Sequence, residues 1–218
     1  MLPIGGRPVL EHLVDLVHEF EVTDIAINLH YRPEVIVNHF GDGSAFGVHV
    51  TYSHEPALLG SAGAAKQLEW FLDETFFVIY GDVLANVDLG RLLELHRRHW
   101  AVATLALYEV PDPSRCGIVQ LAPDGRIERF VEKPTEDVGN LANAGIYVVE
   151  PAVLRYIPAG QPCDFGHDLF PLLLELGQPM YAELGQGYIL DMGSLERYEQ
   201  AEADYQAGRV GRGLGSRV

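Results

Sequence analysis

Positive charge, cysteine and long apolar runs are all scarce in this chain. Lysine and arginine together number 15 against 31 aspartates and glutamates, a net charge of −16 over 218 residues. Such a field repels phosphate backbones and anionic headgroups, which excludes nucleic acid and acidic membrane surfaces as partners. A phosphate ligand stays admissible where a divalent cation and a few local bases mask the repulsion. The only cysteines, Cys116 and Cys163, have neither redox nor metal-ligand spacing and give no disulfide framework. No apolar run approaches the ~20 residues needed to cross a bilayer, and no charged-then-apolar leader opens the chain. The cytoplasm is the expected compartment. Nucleophile-elbow and Walker A patterns are missing too. The glycine-rich stretch Gly41–Gly47 precedes a strand instead of opening a helix, which is the wrong order for a phosphate loop.

What the chain has is an apolar fraction of 48% with scattered charge, enough to exclude disorder, and a length suited to one ordinary domain. Pro8 is well placed at a first helical turn, and Val9, Leu10, Leu13, Leu16, Val17 and Phe20 recur at helical spacing. Asp24–Leu29 reads as a strand, Pro33–Phe40 as a helix, Val48–Ser53 as a strand and Ser61–Phe71 as a helix. Phe76–Tyr80 is a buried apolar strand, and Asp88 caps a helix that runs to His99. Strands alternating with helices predict a doubly wound α/β fold with a mixed sheet, mainly parallel in its first half. Beyond Ala101 the pattern turns to successive strands at Val102–Val110, Gly117–Leu121, Ile127–Glu132 and Leu141–Val149. Asp124-Gly125 marks a hairpin between the middle two. Helices follow at Phe165–Leu176 and Leu195–Gln206, and the Gly- and Arg-rich tail 208–218 is expected to be mobile. His96 and His99 share a helix face without a third ligand and read as solvent-facing.

Several residues carry chemistry. In Tyr80-Gly81-Asp82 an apolar strand ends on a carboxylate, at the sheet edge where open α/β folds bind ligands. Asp82 there suits Mg²⁺, and Gly81 admits close approach to the backbone. A cap on the next turn is the plainer alternative. Asp191 also ends a short strand, Gly187–Leu190, so two distant carboxylates are candidates for one metal; capping of the last helix by Asp191 or Ser194 competes. In Glu55–Gly63 the small residues Gly60, Ser61, Ala62 and Gly63 open a helix, where a flat ring has room and free N–H groups favour an anion. Glu55 only accepts hydrogen bonds, which suits the paired donors of guanine better than the single donor of uracil or thymine. Glu132 and Lys133 end a strand: the carboxylate suits sugar hydroxyls and the ammonium a sugar phosphate, although such residues are usually just solvated. Asn143 interrupts an apolar strand and needs a partner, a sugar hydroxyl or a backbone group. Gly117 offers its backbone, or forms a simple bulge.

The ordered series Glu55-Pro-Ala-Leu-Leu-Gly-Ser-Ala-Gly63, Tyr80-Gly-Asp82, Glu132-Lys-Pro134, Asn143-Ala-Gly-Ile-Tyr147 and Leu190-Asp-Met-Gly193 resembles the sugar-phosphate nucleotidyltransferases. From Leu2 to Ala207 the chain is most similar to mannose-1-phosphate guanylyltransferases. The resemblance implies a Rossmann-like fold with a small antiparallel sugar-binding part. It implies that Glu55 and Gly60–Gly63, with Gly81, hold the nucleotide. It implies likewise that Asp82 and Asp191 bind Mg²⁺ and that Gly117, Glu132, Lys133, Asn143 and Gly145 hold the sugar phosphate. Asp82, Lys133 and Asp191 are then the catalytic groups. The partners are a nucleoside triphosphate, with GTP foremost, and a sugar 1-phosphate, with mannose 1-phosphate foremost; a homo-oligomer is admitted. Ser61 replaces the usual Thr, Ile189 a frequent Trp, and His167 a position often charged. In that family a first strand and a glycine-rich loop precede the position of Met1, so Met1 is expected to be internal to a longer enzyme. The alternatives are transfer of thymidylyl, uridylyl, cytidylyl or adenylyl groups, and a non-catalytic sugar-nucleotide-binding regulator. A glycosyltransferase lacks its Asp-x-Asp pair near Asp82.

Overall fold

A computed structural model describes residues 1–211; residues 212–218, most of the expected mobile tail, lie outside the described residues. In chain order the first elements are β1 (Pro3–Ile4), β2 (Arg7–Pro8), α1 (Val9–Glu19), β3 (Asp24–Leu29), α2 (Pro33–Phe40), β4 (His49–His54), α3 (Gly60–Gln67) and β5 (Phe76–Ile79). Next come β6 (Val83–Val87), α4 (Leu89–His99), β7 (Ala103–Glu109), β8 (Gly117–Leu121), β9 (Ile127–Glu132) and β10 (Leu141–Val149). A π-type turn at Phe165–Leu169 leads into α5 (Phe170–Glu175), and β11 (Met180–Leu184), β12 (Gly187–Asp191) and α6 (Leu195–Gln206) complete the order. The fold is mixed α/β. The chain divides into two compact units. The first comprises Met1–His54, Ile79–Gly90 and the segment from Gly185 onward; the second comprises Glu55–Val78 and Arg91–Leu184.

In the first unit, β3 and β4 pair in parallel from Asp24 opposite His49 to Leu29 opposite His54. Val14 from α1 and Phe40 from α2 join Ile27, Leu29 and Val48 in one core cluster. The apolar stripe of α1 does what its spacing predicts, with Val9, Leu13, Leu16 and Val17 buried. A second pairing, antiparallel, joins β6 to β12 from Val83 opposite Asp191 to Val87 opposite Gly187. Beneath it, Ile4, Val9, Leu84, Met192, Ala201 and Val210 pack together. Helix α6 clasps the β1–β2 hairpin: Tyr198 donates to the Pro3 carbonyl at 2.8 Å and the Gly5 amide to Glu202 at 2.9 Å.

The second unit is a sheet in the order β11-β7-β10-β8-β9, with β5 also against β10. β11 runs parallel to β7; β10 runs antiparallel to β7 and β8, and β8 to β9. The hairpin expected at Asp124-Gly125 joins β8 to β9, with Gly125 at φ +84°. Nearly all of β10 is buried, which explains why its sequence is continuously apolar instead of alternating. Phe130, Tyr147, Phe165 and Phe170 form an aromatic cluster with centroid spacings of 5.0–5.6 Å.

His96 corrects the expectation of a solvent-facing histidine. Only 2% of it is exposed, and Leu89, Leu92 and His96 fall on one buried face of α4. Its Nδ1 lies 2.9 Å from Thr104 Oγ1 and its Nε2 3.0 Å from Glu150 Oε1, an oxygen that also accepts from Thr75 at 2.6 Å. His99, half-buried, stacks on Tyr181 at 4.1 Å. Burial holds the His96 pKa below the usual imidazole value despite the Glu150 carboxylate. The unfolded chain therefore binds this proton first, and stability falls as pH drops below about 6.5. Thermal unfolding between pH 7.5 and 5 should show a steeper loss in the native protein than in His96→Gln. Equal slopes would show that His96 contributes none of it.

Candidate active site

The carboxylates of the first unit meet because of β6, a strand absent from the sequence-based expectation. It begins one residue after Asp82, and its pairing with β12 places Asp191 opposite Val83. The Met192 amide donates to the Asp82 carbonyl at 2.9 Å, locking the two strand ends together. Crowding by surrounding atoms, and then the negative charge of Asp191, raise the Asp82 pKa above the ordinary carboxylate range. Asp191 Oδ1 accepts the Gly193 amide at 2.7 Å, and Oδ2 stands 3.8 Å from Arg197. The α6 cap is Ser194, which accepts the Arg197 amide at 3.3 Å, so Asp191 is spared that task. A β-carbon at Gly81 would meet nothing nearer than Leu10 at 3.8 Å, so the space beside Asp82 is open.

Two carboxylates at neighbouring strand ends, with the charge of Asp191 acting on Asp82, fit a divalent cation. Mg²⁺ suits a pair of this kind, since it takes one or two carboxylates and fills its remaining positions with water and substrate phosphates.

The Glu55–Gly63 loop of the second unit is tied down from within. Glu55 is 1% exposed, and its Oε2 accepts the Leu59 amide at 3.0 Å, so the carboxylate closes the loop that precedes α3. The expectation of free amides at the start of α3 needs correction. Ser61 N–H donates to Asp164 Oδ1 at 2.9 Å, and the Ala62 and Gly63 amides both donate to the Cys163 carbonyl at 2.9 Å. With these donors engaged, that helix end has little left for an anion. The Gly60 and Gly63 positions are needed for this contact: β-carbons there would stand 2.6 Å from the Cys163 carbonyl and 3.0 Å from the Gln161 carbonyl. Ser61 Oγ completes the latch, donating to Asp164 at 3.0 Å and accepting the Phe165 amide at 3.0 Å. No local pattern reveals this pairing of residues 103 positions apart.

Gly117 and Glu132 face one another across the β8–β9 ladder, as their grouping implies. Lys133, the next residue, is exposed and left-handed at φ +47°, with its amide donating to the Cys116 carbonyl at 3.0 Å. A left-handed lysine is strained, and the ladder end holds it so. Asn143 sits at a bulge in β10: its Oδ1 accepts the Gly145 amide at 3.1 Å and its Nδ2 donates to Tyr147 at 2.8 Å. Gly145, at φ +70°, supplies the backbone freedom that the bulge requires. The polar residue in the apolar strand thus has internal partners, with one amide hydrogen still to give.

Comparison with known proteins adds to these geometries. A family described as nucleotidyl transferase matches residues 1–208. A UTP–glucose-1-phosphate uridylyltransferase from Synechocystis sp. is 38% identical over 217 residues, covering 92% of this chain and 56% of that protein. A mannose-1-phosphate guanylyltransferase from Mycobacterium tuberculosis is 35% identical over 210 residues, covering 95% and 58%. The chain spans little more than half the length of the curated relatives it matches. Among solved structures, one assigned as a glucose-1-phosphate thymidylyltransferase from Bacillus anthracis, in complex with a sucrose, superposes with a TM-score of 0.86 at 27% identity, covering 98% of this chain and 88% of that one. A UDP-glucose pyrophosphorylase complexed with UDP-glucose shares the fold, with a TM-score of 0.81 at 21% identity over 96% and 90% of the two chains.

Proposed function

The chain belongs to the nucleotidyl transferase family, and from that premise we propose that it joins a nucleoside triphosphate to a sugar 1-phosphate and releases pyrophosphate. The observation that carries the reading is the Asp82–Asp191 pair, brought together by the β6–β12 ladder, in which crowding and then the Asp191 charge raise the Asp82 pKa. An oxygen of the sugar 1-phosphate attacks the α-phosphorus, and the bond from that phosphorus to the bridging oxygen of the β-phosphate breaks. No protein nucleophile is required. Mg²⁺ bound by Asp82 and Asp191 would supply neutralisation of phosphoryl charge. Lys133 screens the sugar phosphate with its exposed ammonium, Glu132 accepts sugar hydroxyls, and Gly117 exposes its backbone beside them. Asn143 and Gly145 set the bulge next to that edge. Glu55 acts through the loop it closes, and Gly60–Gly63 give that loop a flat, side-chain-poor surface for a base. Alignment and charge screening then account for the catalysis.

GTP with mannose 1-phosphate is the first pair to test, supported by relatives bearing guanylyltransferase names; Glu55, buried and holding the Leu59 amide, does not itself select the base. UTP with glucose 1-phosphate is the second reading, favoured by the 38% identity to the Synechocystis protein. Cytoplasmic location, expected from the sequence, belongs to the same proposal; no helix among the described residues is long and apolar enough to cross a membrane. Pyrophosphate release measured over a grid of triphosphates and sugar 1-phosphates tests the reading. One pair should stand out by at least tenfold and should need a divalent cation. Ligand binding with no turnover for any pair would instead support a sugar-nucleotide-binding regulator.

A further inference from the structure

One carboxylate of the second unit is framed by glycines. A β-carbon at Gly117 would stand 2.7 Å from Glu132 Oε2, and one at Gly166 3.1 Å from the same oxygen. The residue after Gly166 is His167, whose side chain is 74% exposed and whose Nδ1 lies 2.7 Å from Asp168 Oδ1. The other Asp168 oxygen accepts the Asp164 amide at 2.8 Å, and Asp164 is held in turn by Ser61. The imidazole is thus oriented by a hydrogen-bonded chain that starts in the Glu55–Gly63 loop, and its Nε2 is left facing solvent.

We propose that His167 is a specificity-determining residue, reading together with Glu132 two neighbouring hydroxyls of an uncharged hexose ring. The inference rests on the nucleotidyltransferase reading above and names the class of sugar within it. Glu132 can only accept, a protonated imidazole can only donate, and a hydroxyl does both, so adjacent hydroxyls satisfy the two groups with opposite polarity. Asp168, hydrogen-bonded to the ring, acts on it most strongly, and the charges of Asp164 on the same turn and Glu132 on β9 act on it as well. Three carboxylates around one imidazolium leave the patch negative, which repels a uronate or any other anionic substituent on the ring. The Asp168 hydrogen bond and charge, followed by the charges of Asp164 and Glu132, raise the His167 pKa and keep Nε2 a donor to higher pH. The 1-phosphate of the sugar is left to Lys133.

Calorimetric titration of the native chain, His167→Ala and His167→Gln with mannose 1-phosphate, glucose 1-phosphate, their monodeoxy analogues and glucuronic acid 1-phosphate tests this. The native chain should bind a neutral hexose phosphate and lose roughly tenfold in affinity when one particular hydroxyl is deleted, the effect of a hydrogen bond to a charged group. His167→Ala should bind the parent sugar roughly tenfold more weakly and be indifferent to that deletion. His167→Gln, whose amide still donates, should recover part of the loss. Native affinity should fall as pH rises through the imidazole titration, while the Gln variant stays flat. Unchanged affinity and an unchanged deoxy pattern in His167→Ala would overturn the inference, as would a preference for glucuronic acid 1-phosphate. Failure of the native chain to bind any sugar phosphate would remove the functional reading itself, a separate result.

Discussion

Asp82→Asn should lower pyrophosphate release by about 10²–10³-fold, the range seen when one preorganised electrostatic group is removed from a polar transition state. The same substitution should raise thermal stability when no divalent cation is present. The sign follows from the Asp82 pKa, which folding raises. Between the unfolded and folded values the folded chain holds the extra proton, so stability falls as pH rises through that window and the full penalty persists at neutral pH. Asparagine carries no charge and escapes the penalty. Mg²⁺ should reverse the ranking: a ligand at 100 times its dissociation constant stabilises by about 2.7 kcal/mol, or about 5–10 °C for a chain of this size. Melting curves of the native chain, Asp82→Asn and Asp191→Asn, each with EDTA and with Mg²⁺, separate the two effects. If Mg²⁺ shifts all three alike, the cation does not bind between these carboxylates.

The same pair shows what the sequence made legible and what it hid. Each aspartate stood out separately as a carboxylate ending a strand, and β3, α2, β8, β9, β10 and α6 begin and end where periodicity and punctuation place them. Those signals are local. The strand β6 has little local signal: Val83–Val87 is only five residues long, holds Asn86 within it and lies between a Gly-Asp turn and the next helix, too short for a periodicity of its own. Yet β6 is the element that makes two separate aspartates one site. The hairpin β1–β2 was also passed over, although Gly5-Gly6 is a turn signal flanked by its two short strands. His96 was misread for another reason. Its charge suggested water, while its spacing from Leu89 and Leu92 put it on the buried face, and the buried partners Thr104 and Glu150 outweighed its polarity. The amides of Ser61, Ala62 and Gly63 were expected to be free because nothing near them in sequence accepts. Their acceptors, Cys163 and Asp164, arrive from about a hundred residues away. The two units interleave along the chain, so no change in composition marks where one gives way to the other.

Gly187→Ala should be the most damaging single methyl addition in the first unit. The residue opens β12 at φ +138°, a backbone region that non-glycine residues rarely occupy, and an added β-carbon would fall 1.8 Å from the Asn86 carbonyl oxygen. That neighbour is backbone inside a paired strand, so no rotamer change relieves the clash. At Gly5, by contrast, the added carbon would strike the Tyr205 ring, a side chain and not paired backbone. Overpacking at about 1–3 kcal/mol and backbone strain of similar size together predict a loss of about 2–6 kcal/mol. For a chain of this size that lowers the melting temperature by about 4–24 °C. The damage should also reach the site, because Gly187 and Asp191 lie on one strand and the Val87–Gly187 pairing sets the register that puts Asp191 opposite Val83. A variant that stays folded at low temperature should therefore show a smaller Mg²⁺-dependent rise in melting temperature than the native chain. Normal melting would mean that the β6–β12 ladder shifts to make room. Lowered melting with a full Mg²⁺ response would mean that the Asp82–Asp191 pair is held by contacts other than this register.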